Sequence, residues 1–145
     1  MGQIGEHIAT VAEQCAARRW GALIVLERSD PLDDHLPGGI AIGQPVTVEL
    51  LLDIFAPTSD LREGATVVRG DRVLVAGAGL SSPADERVAH LERGARAAIA
   101  FTEHSNAVII HVAPSTGTIS LASSGQLVRN LQPEKLRHVL AWLNR

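Results

Sequence analysis

The six-residue run "GALIVL" (21–26) constrains the fold more than any other part of this sequence. It carries no polar side chain, so a strand built from it has no face to offer water. Both faces must be covered by other elements, and the rest of the chain supplies the covers. Ile4, Ile8, Val11, Ala12 and Cys15 recur at helical spacing over 4–18, with Glu6, Glu13 and Arg18 off the stripe, which predicts an amphipathic helix. Val48, Leu51, Leu52 and Phe55 do the same over 46–56, where Pro57 ends the pattern. Leu136, Leu140 and Leu143 form a third stripe over 133–143.

The other apolar runs have strand character. "ATVVRGDRVLVAGAGL" (65–80) reads as two β-rich segments around Gly70-Asp71, a pair suited to a tight turn. "AVIIHVA" (107–113) and "TGTISLAS" (116–123) make a second such pair around "PSTG". "SPAD" (82–85) predicts a helix start, with Ser82 as N-cap, Pro83 in the first position and Asp85 closing a capping box. That helix is expected to run to about Ala100, with a break at Gly94. The Pro, Asp and Gly content of residues 27–39 predicts a loop. Helices interleaved with hairpin-joined strands imply one α/β domain over residues 1–145, a mixed sheet flanked by helices.

Composition narrows the function. With 145 residues and 46% hydrophobic content the chain can bury a core without a staple. Aromatics are only 3%, with no tyrosine, so that core is Val, Ile, Leu and Ala. A formal charge of −3 argues against wrapping a nucleic-acid polymer, which takes many cations to displace counterions. A local basic pocket for a phosphorylated small molecule stays open. The single cysteine, Cys15, excludes an internal disulfide and fits a reducing compartment. Residues 1–14 have no secretory pattern, and no run approaches ~20 apolar residues. Glu6 stands where a myristoylation start would need Ser or Thr. The expectation is a cytoplasmic protein with no membrane segment in this chain.

General motifs are missing: no phosphate-binding G-x-x-x-x-G-K-[ST] loop, no H-E-x-x-H helix, no G-x-S-x-G elbow. The six histidines (7, 35, 90, 104, 111 and 138) lack zinc-ligand spacing, and each reads as a surface or satisfied core residue. Asp33-Asp34-His35 reads as a solvated loop rather than a metal site.

The order of segments carries more. "GALIVLE", then "VELLLDIFAPTSDLREGATVVRGDRVLVAGAGL", then "RAAIAFTEHSNAVIIHVAPSTGTISLASSGQL" resembles the diadenylate cyclase (DAC, or DisA_N) domain family, collinearly from about Gly21 to Leu127. The resemblance implies two domains facing each other, each holding one ATP, that make cyclic di-AMP and pyrophosphate with a divalent metal, Mg²⁺ or Mn²⁺. Position by position, the family's Asp-Gly-Ala falls on Glu63-Gly64-Ala65, and its Arg-His-Arg on Gly94-Ala95-Arg96. Its following acidic residue falls on Glu103 and its Thr-Gly turn on Thr116-Gly117. The strand end at Gly79-Leu80 would lie near the base.

The resemblance thus implies Glu63 as metal ligand and helper of the attacking hydroxyl, Arg96 on phosphate, and Glu103 ordering the metal or its surroundings. Gly64, Ala65, Gly79, Leu80, Gly94, Ala95, Thr116 and Gly117 would line the nucleotide. Both signature motifs are altered. Glu63 keeps the charge of Asp but extends it by one methylene, and a ~1 Å misplacement can cost about a hundredfold in rate. Gly94 and Ala95 donate no side-chain bonds where the family has a cation and an imidazole, each such contact being worth about 1.5–3 kcal/mol. Arg62 and Arg93 are the cations at neighbouring positions available to fill the gap. Beside the cyclase stand two other readings: a nucleotide-binding or regulatory module without turnover, favoured by Gly94-Ala95, and a structural homo-oligomer without ligand.

Overall fold

Seven strands and four α-helices account for the described residues, 2–32, 36–82 and 85–143, of this computed structural model. In chain order they are α1 (Gly2–Arg18), β1 (Ala22–Leu26), β2 (Ile40–Pro45), α2 (Val48–Phe55), β3 (Ala65–Arg69) and β4 (Arg72–Ala78). Then come α3 (Arg93–Thr102), β5 (Val108–Val112), β6 (Ile119–Ser123), β7 (Gln126–Val128) and α4 (Pro133–Leu143). The strands form one sheet in the order β2-β4-β3-β1-β5-β6-β7. Only β1 and β3 run parallel, with Ile24 opposite Thr66 and Leu26 opposite Val68. Every other pairing is antiparallel, so the sheet is mixed, as expected.

"GALIVL" occupies the centre of that sheet, and both its faces are covered. On one face Ile8, Val11 and Cys15 of α1, Leu51 and Phe55 of α2, and Leu136 and Leu140 of α4 pack against Ile24, Val68 and Ile110. On the other face Ala98 of α3 and Leu32 pack with Val25, Val67 and Ile109. Most of these side chains are 0–1% exposed, and each contributes about 1.5–3 kcal/mol relative to staying in water. Arg137 ties α4 to α1, donating to Glu6 at 2.8 Å and Glu13 at 3.2 Å. Thr47 caps α2 by accepting from the Leu50 amide at 3.0 Å. The turn at Gly70-Asp71 closes β3 onto β4 with positive φ at Gly70 alone.

Two expectations are corrected. The helix predicted from Ser82 does not run through: a 3-10 turn at Glu86–Val88 comes first, and α3 begins afresh at Arg93. Asp85 closes that short turn on itself, accepting from the Arg87 amide at 3.0 Å and gripping the Arg87 guanidinium. Glu92 is extended, which separates the two pieces. The predicted role of Pro83 falls outside the described residues, as does the Asp33-Asp34-His35 segment. The sequence reading also missed β2 and β7. Both are edge strands at the rims of the sheet with mostly exposed side chains, and the apolar part of β2 is only Ile40-Ala41-Ile42 before Gly43, too short to announce a strand. Among the described residues, no helix is long and apolar enough to cross a membrane.

Candidate active site

Because β1 and β3 are parallel, both begin at the same end of the sheet, and the start of α3 comes to that end as well. A cavity of about 470 Å³ opens there, walled by Trp20 and Gly21, Pro57, Arg62 and Glu63, Arg93 and Gly94, and His111. Glu63 is exposed, two residues ahead of β3, on a turn knitted by its own hydrogen bonds. Ser59 accepts from the Leu61 amide at 3.0 Å, and the Arg62 guanidinium reaches back to the Ser59 carbonyl at 2.8 Å. Gly64 fixes the turn against the hairpin: a Cβ at this position would stand 2.4 Å from the Gly77 carbonyl carbon. Only glycine permits that approach.

The opposite wall is the first turn of α3. Its N-cap residue, Glu92, makes no side-chain capping bond, so the leading N–H groups of the helix keep their donor capacity. Gly94 lies directly under the ring of His111, since a Cβ there would meet Nε2 at 2.6 Å and Cδ2 at 2.7 Å. His111 sits in β5 between Leu23 of β1 and Ser120 of β6, and is 7% exposed. Burial pushes its pKa below the ordinary 6.5, partly opposed by the Glu92 carboxylate, so the ring is neutral at pH 7. Expected to be a surface or satisfied core histidine, it is buried, but its ring has no hydrogen-bond partner among the described residues. A histidine interrupting the aliphatic run "AVIIHVA" was the available signal. Glu92, which shares this cavity, was also not singled out by the sequence.

The remaining candidates lie elsewhere. Gly79, Leu80 and Glu103 meet in a second cavity of about 360 Å³, with Phe101 as an apolar wall and His104 at its rim. Ala95 and Thr116 line a third, of about 200 Å³, whose walls also include His111, Ser120 and Arg129. Ala65 is buried as the first residue of β3, and Gly117 packs its Cα against the Ala16 carbonyl and Arg19. Arg96 is half-buried, lines none of these cavities, and its Nε is enclosed without a hydrogen-bond partner among the described residues. The structure therefore brings Glu63 and Gly94 together, and separately Gly79, Leu80 and Glu103, while Arg96 stands apart.

No group of three or more His, Cys, Asp or Glu side chains among the described residues could hold a metal by itself. Glu63 offers one carboxylate that has no ion pair or hydrogen bond among the described residues. That donor set fits a Mg²⁺-type ion, which keeps several waters and takes its other oxygens from substrate phosphates.

Comparison with known proteins decides the lineage of this arrangement. The family model described as DisA bacterial checkpoint controller nucleotide-binding (DAC) matches residues 9–127. The chain belongs to the DAC family. A diadenylate cyclase of Listeria monocytogenes (strain 10403S) is 33% identical over 137 residues, covering 93% of this chain and 50% of the relative. Cyclic di-AMP synthase CdaA of Bacillus subtilis (strain 168) is 32% identical over 136 residues, again covering 93% and 50%. The chain thus spans about half the length of these DAC relatives. A crystal structure of a double cysteine mutant of DacA from Staphylococcus aureus matches with TM-score 0.91 at 30% identity, over 97% of this chain and 94% of that one. A hypothetical membrane spanning protein from Bacillus cereus matches with TM-score 0.77 at 33% identity, over 86% and 62%.

Proposed function

We propose that this chain is a diadenylate cyclase domain that condenses two ATP into cyclic di-AMP and pyrophosphate in a face-to-face homodimer. The observation that carries the reading is the cavity bearing Glu63, Arg62, Arg93 and the open first turn of α3, inside the segment that matches the family. Each step joins the 3′-oxygen of one ATP to the α-phosphorus of the other. The bond from that phosphorus to the bridging oxygen of the β-phosphate breaks, pyrophosphate leaves, and the hydroxyl proton is released. Repeating the step in the other direction closes the ring. A single unpaired carboxylate at the β3 turn, Glu63, suits a dimer in which each protomer presents one ATP to its partner.

In this reading Glu63 holds a Mg²⁺ or Mn²⁺ ion and accepts the proton of the attacking hydroxyl. Bound there, the metal would polarise the α-phosphate and offset charge on the leaving group. Gly64 and Ala65 keep the backbone low beside the sugar and phosphates. Leu80 and Phe101 offer apolar faces for the base, with Gly79 and Glu103 beside them. Gly94 and Ala95 leave the α3 amides accessible to phosphate, Thr116-Gly117 borders the third cavity, and Arg96 gives long-range positive charge. ATP as substrate and a lone buried thiol, Cys15, favour a cytoplasmic setting.

A second reading, a nucleotide-binding module without turnover, is favoured by the bare Gly94-Ala95 pair. Incubation of purified protein with ATP and Mn²⁺ or Mg²⁺, followed by chromatography, separates the two. Cyclic di-AMP and pyrophosphate are the expected products. Bound ATP with no cyclic dinucleotide at high protein concentration would leave only the second reading.

A further inference from the structure

We infer that His111 is a phosphate-contacting residue of this nucleotide site, supplying from β5 the imidazole that positions 94 and 95 no longer supply from α3. The inference rests on the ATP reading above and adds a residue to it. Its first support is steric. A Cβ at position 94 would lie 2.6 Å from His111 Nε2, so any side chain there requires the ring to leave its present place.

The second support is that the ring has no partner within the described protein. Val108, Ile109, Ile110 and Val112 show that β5 packs best with aliphatic side chains. His111 is more than nine-tenths buried, and no described residue bonds its ring. Its nitrogens are not among the atoms fully enclosed by protein, so they open onto the cavities the residue lines, where a ligand oxygen can pair with the ring. The third support is location. The ring is the wall shared by the cavity of Glu63 and the smaller one of Thr116 and Arg129. It stands over the uncapped first turn of α3, where an anion is favoured by the helix amides. Arg19, Arg62 and Arg93 line that cavity together with Glu63 and Glu92, leaving the balance positive. A neutral imidazole there donates one N–H to a phosphate oxygen.

Calorimetry of the full chain with a non-reacting α,β-methylene analogue of ATP tests this. Wild type is compared with His111→Val, His111→Asn, and the pair Gly94→Arg with His111→Val. His111→Val should weaken binding about tenfold or more while leaving the melting temperature unchanged or raised. His111→Asn should recover part of the loss through its amide. Gly94→Arg alone should lower the melting temperature, and the paired variant should restore both folding and binding. Wild-type affinity in His111→Val would overturn the inference. So would equal loss in the Val and Asn variants together with lowered melting temperatures, which marks a structural role, or no analogue binding by the wild type. If the wild type binds the analogue but makes no cyclic di-AMP from ATP, the cyclase reading fails. The His111 inference then stands or falls on the binding data alone.

Discussion

The two ends of the parallel pair β1 and β3 each carry a glutamate close in sequence or space to an arginine, and the fold treats them oppositely. At the far end Glu27 accepts from Arg69 Nε at 2.6 Å and Nη2 at 2.9 Å, and from the Leu32 amide at 3.1 Å. Its side chain is only 7% exposed. The Arg69 hydrogen bonds, more than the Leu32 amide, hold its carboxyl below the ordinary carboxylate value against the cost of burial. At the near end Glu63 is exposed and makes no bond among the described residues, while Arg62 turns to the Ser59 carbonyl. The far-end charge is consumed in joining strands and loop. The near-end charge contributes nothing visible to the fold, and that leaves it available to a ligand.

Breaking the near end should therefore cost activity and not stability. Glu63→Gln is expected to slow cyclic di-AMP formation by about 10²–10³-fold, with an unfolding free energy within about 0.5 kcal/mol of wild type. Product chromatography and thermal melts read the two quantities. A variant that still cyclises at near wild-type rate would remove Glu63 from the chemistry. Gly64→Ala tests how firmly that carboxylate is placed. Its Cβ would press on the Gly77 backbone, which cannot rotate aside, so stability should fall by about 3 kcal/mol, the upper end for overpacking. Activity should fall with it. A stable, active Gly64→Ala protein would mean that the turn is not fixed as described.

Breaking the far end should do the reverse. Glu27→Gln keeps the shape but removes the charge from a bidentate pair, and about 1–2 kcal/mol of stability should be lost. The partial exposure of Arg69 keeps the figure at this modest level. Turnover per folded molecule should not change. If Glu27→Gln lost activity without losing stability, the division of labour between the two ends would be wrong.

What the sequence made legible follows from the same physics. The all-apolar "GALIVL" and the stripes of α1, α2 and α4 gave the sheet and its covers, because burial leaves a periodic trace in residue type. Edge strands β2 and β7 leave none, since water serves their outer faces. The break before α3 depends on Asp85 folding back on Arg87, a local bond that also fits a capping box. In the site, Glu63 and Gly94 were found by resemblance and meet in one cavity. His111 reads in the sequence as a surface or satisfied core residue, because a lone histidine gives no sign of whether its ring has a partner. That fact exists only once β5 has been laid beside Gly94.

The smallest expected effect separates the two ends by pH. His111 has a lowered pKa in the folded state, so the unfolded chain takes up that proton more readily. Its stabilising contribution is full above the ordinary value of 6.5 and is lost progressively as pH falls below it. Burial of the ring drives this loss and the nearby Glu92 carboxylate opposes it; Arg19, Arg62 and Arg93 line the same cavity. Glu27 also has a lowered pKa, so its contribution is full above 4.5 and fades only at lower pH. Denaturant midpoints measured from about pH 8 to 3.5 should show two successive declines. His111→Val should erase the upper one and leave the lower, and Glu27→Gln should do the converse. If His111→Val kept the decline below pH 6.5, the buried neutral ring over Gly94 would not be its source, and the near end would hold some other titrating group.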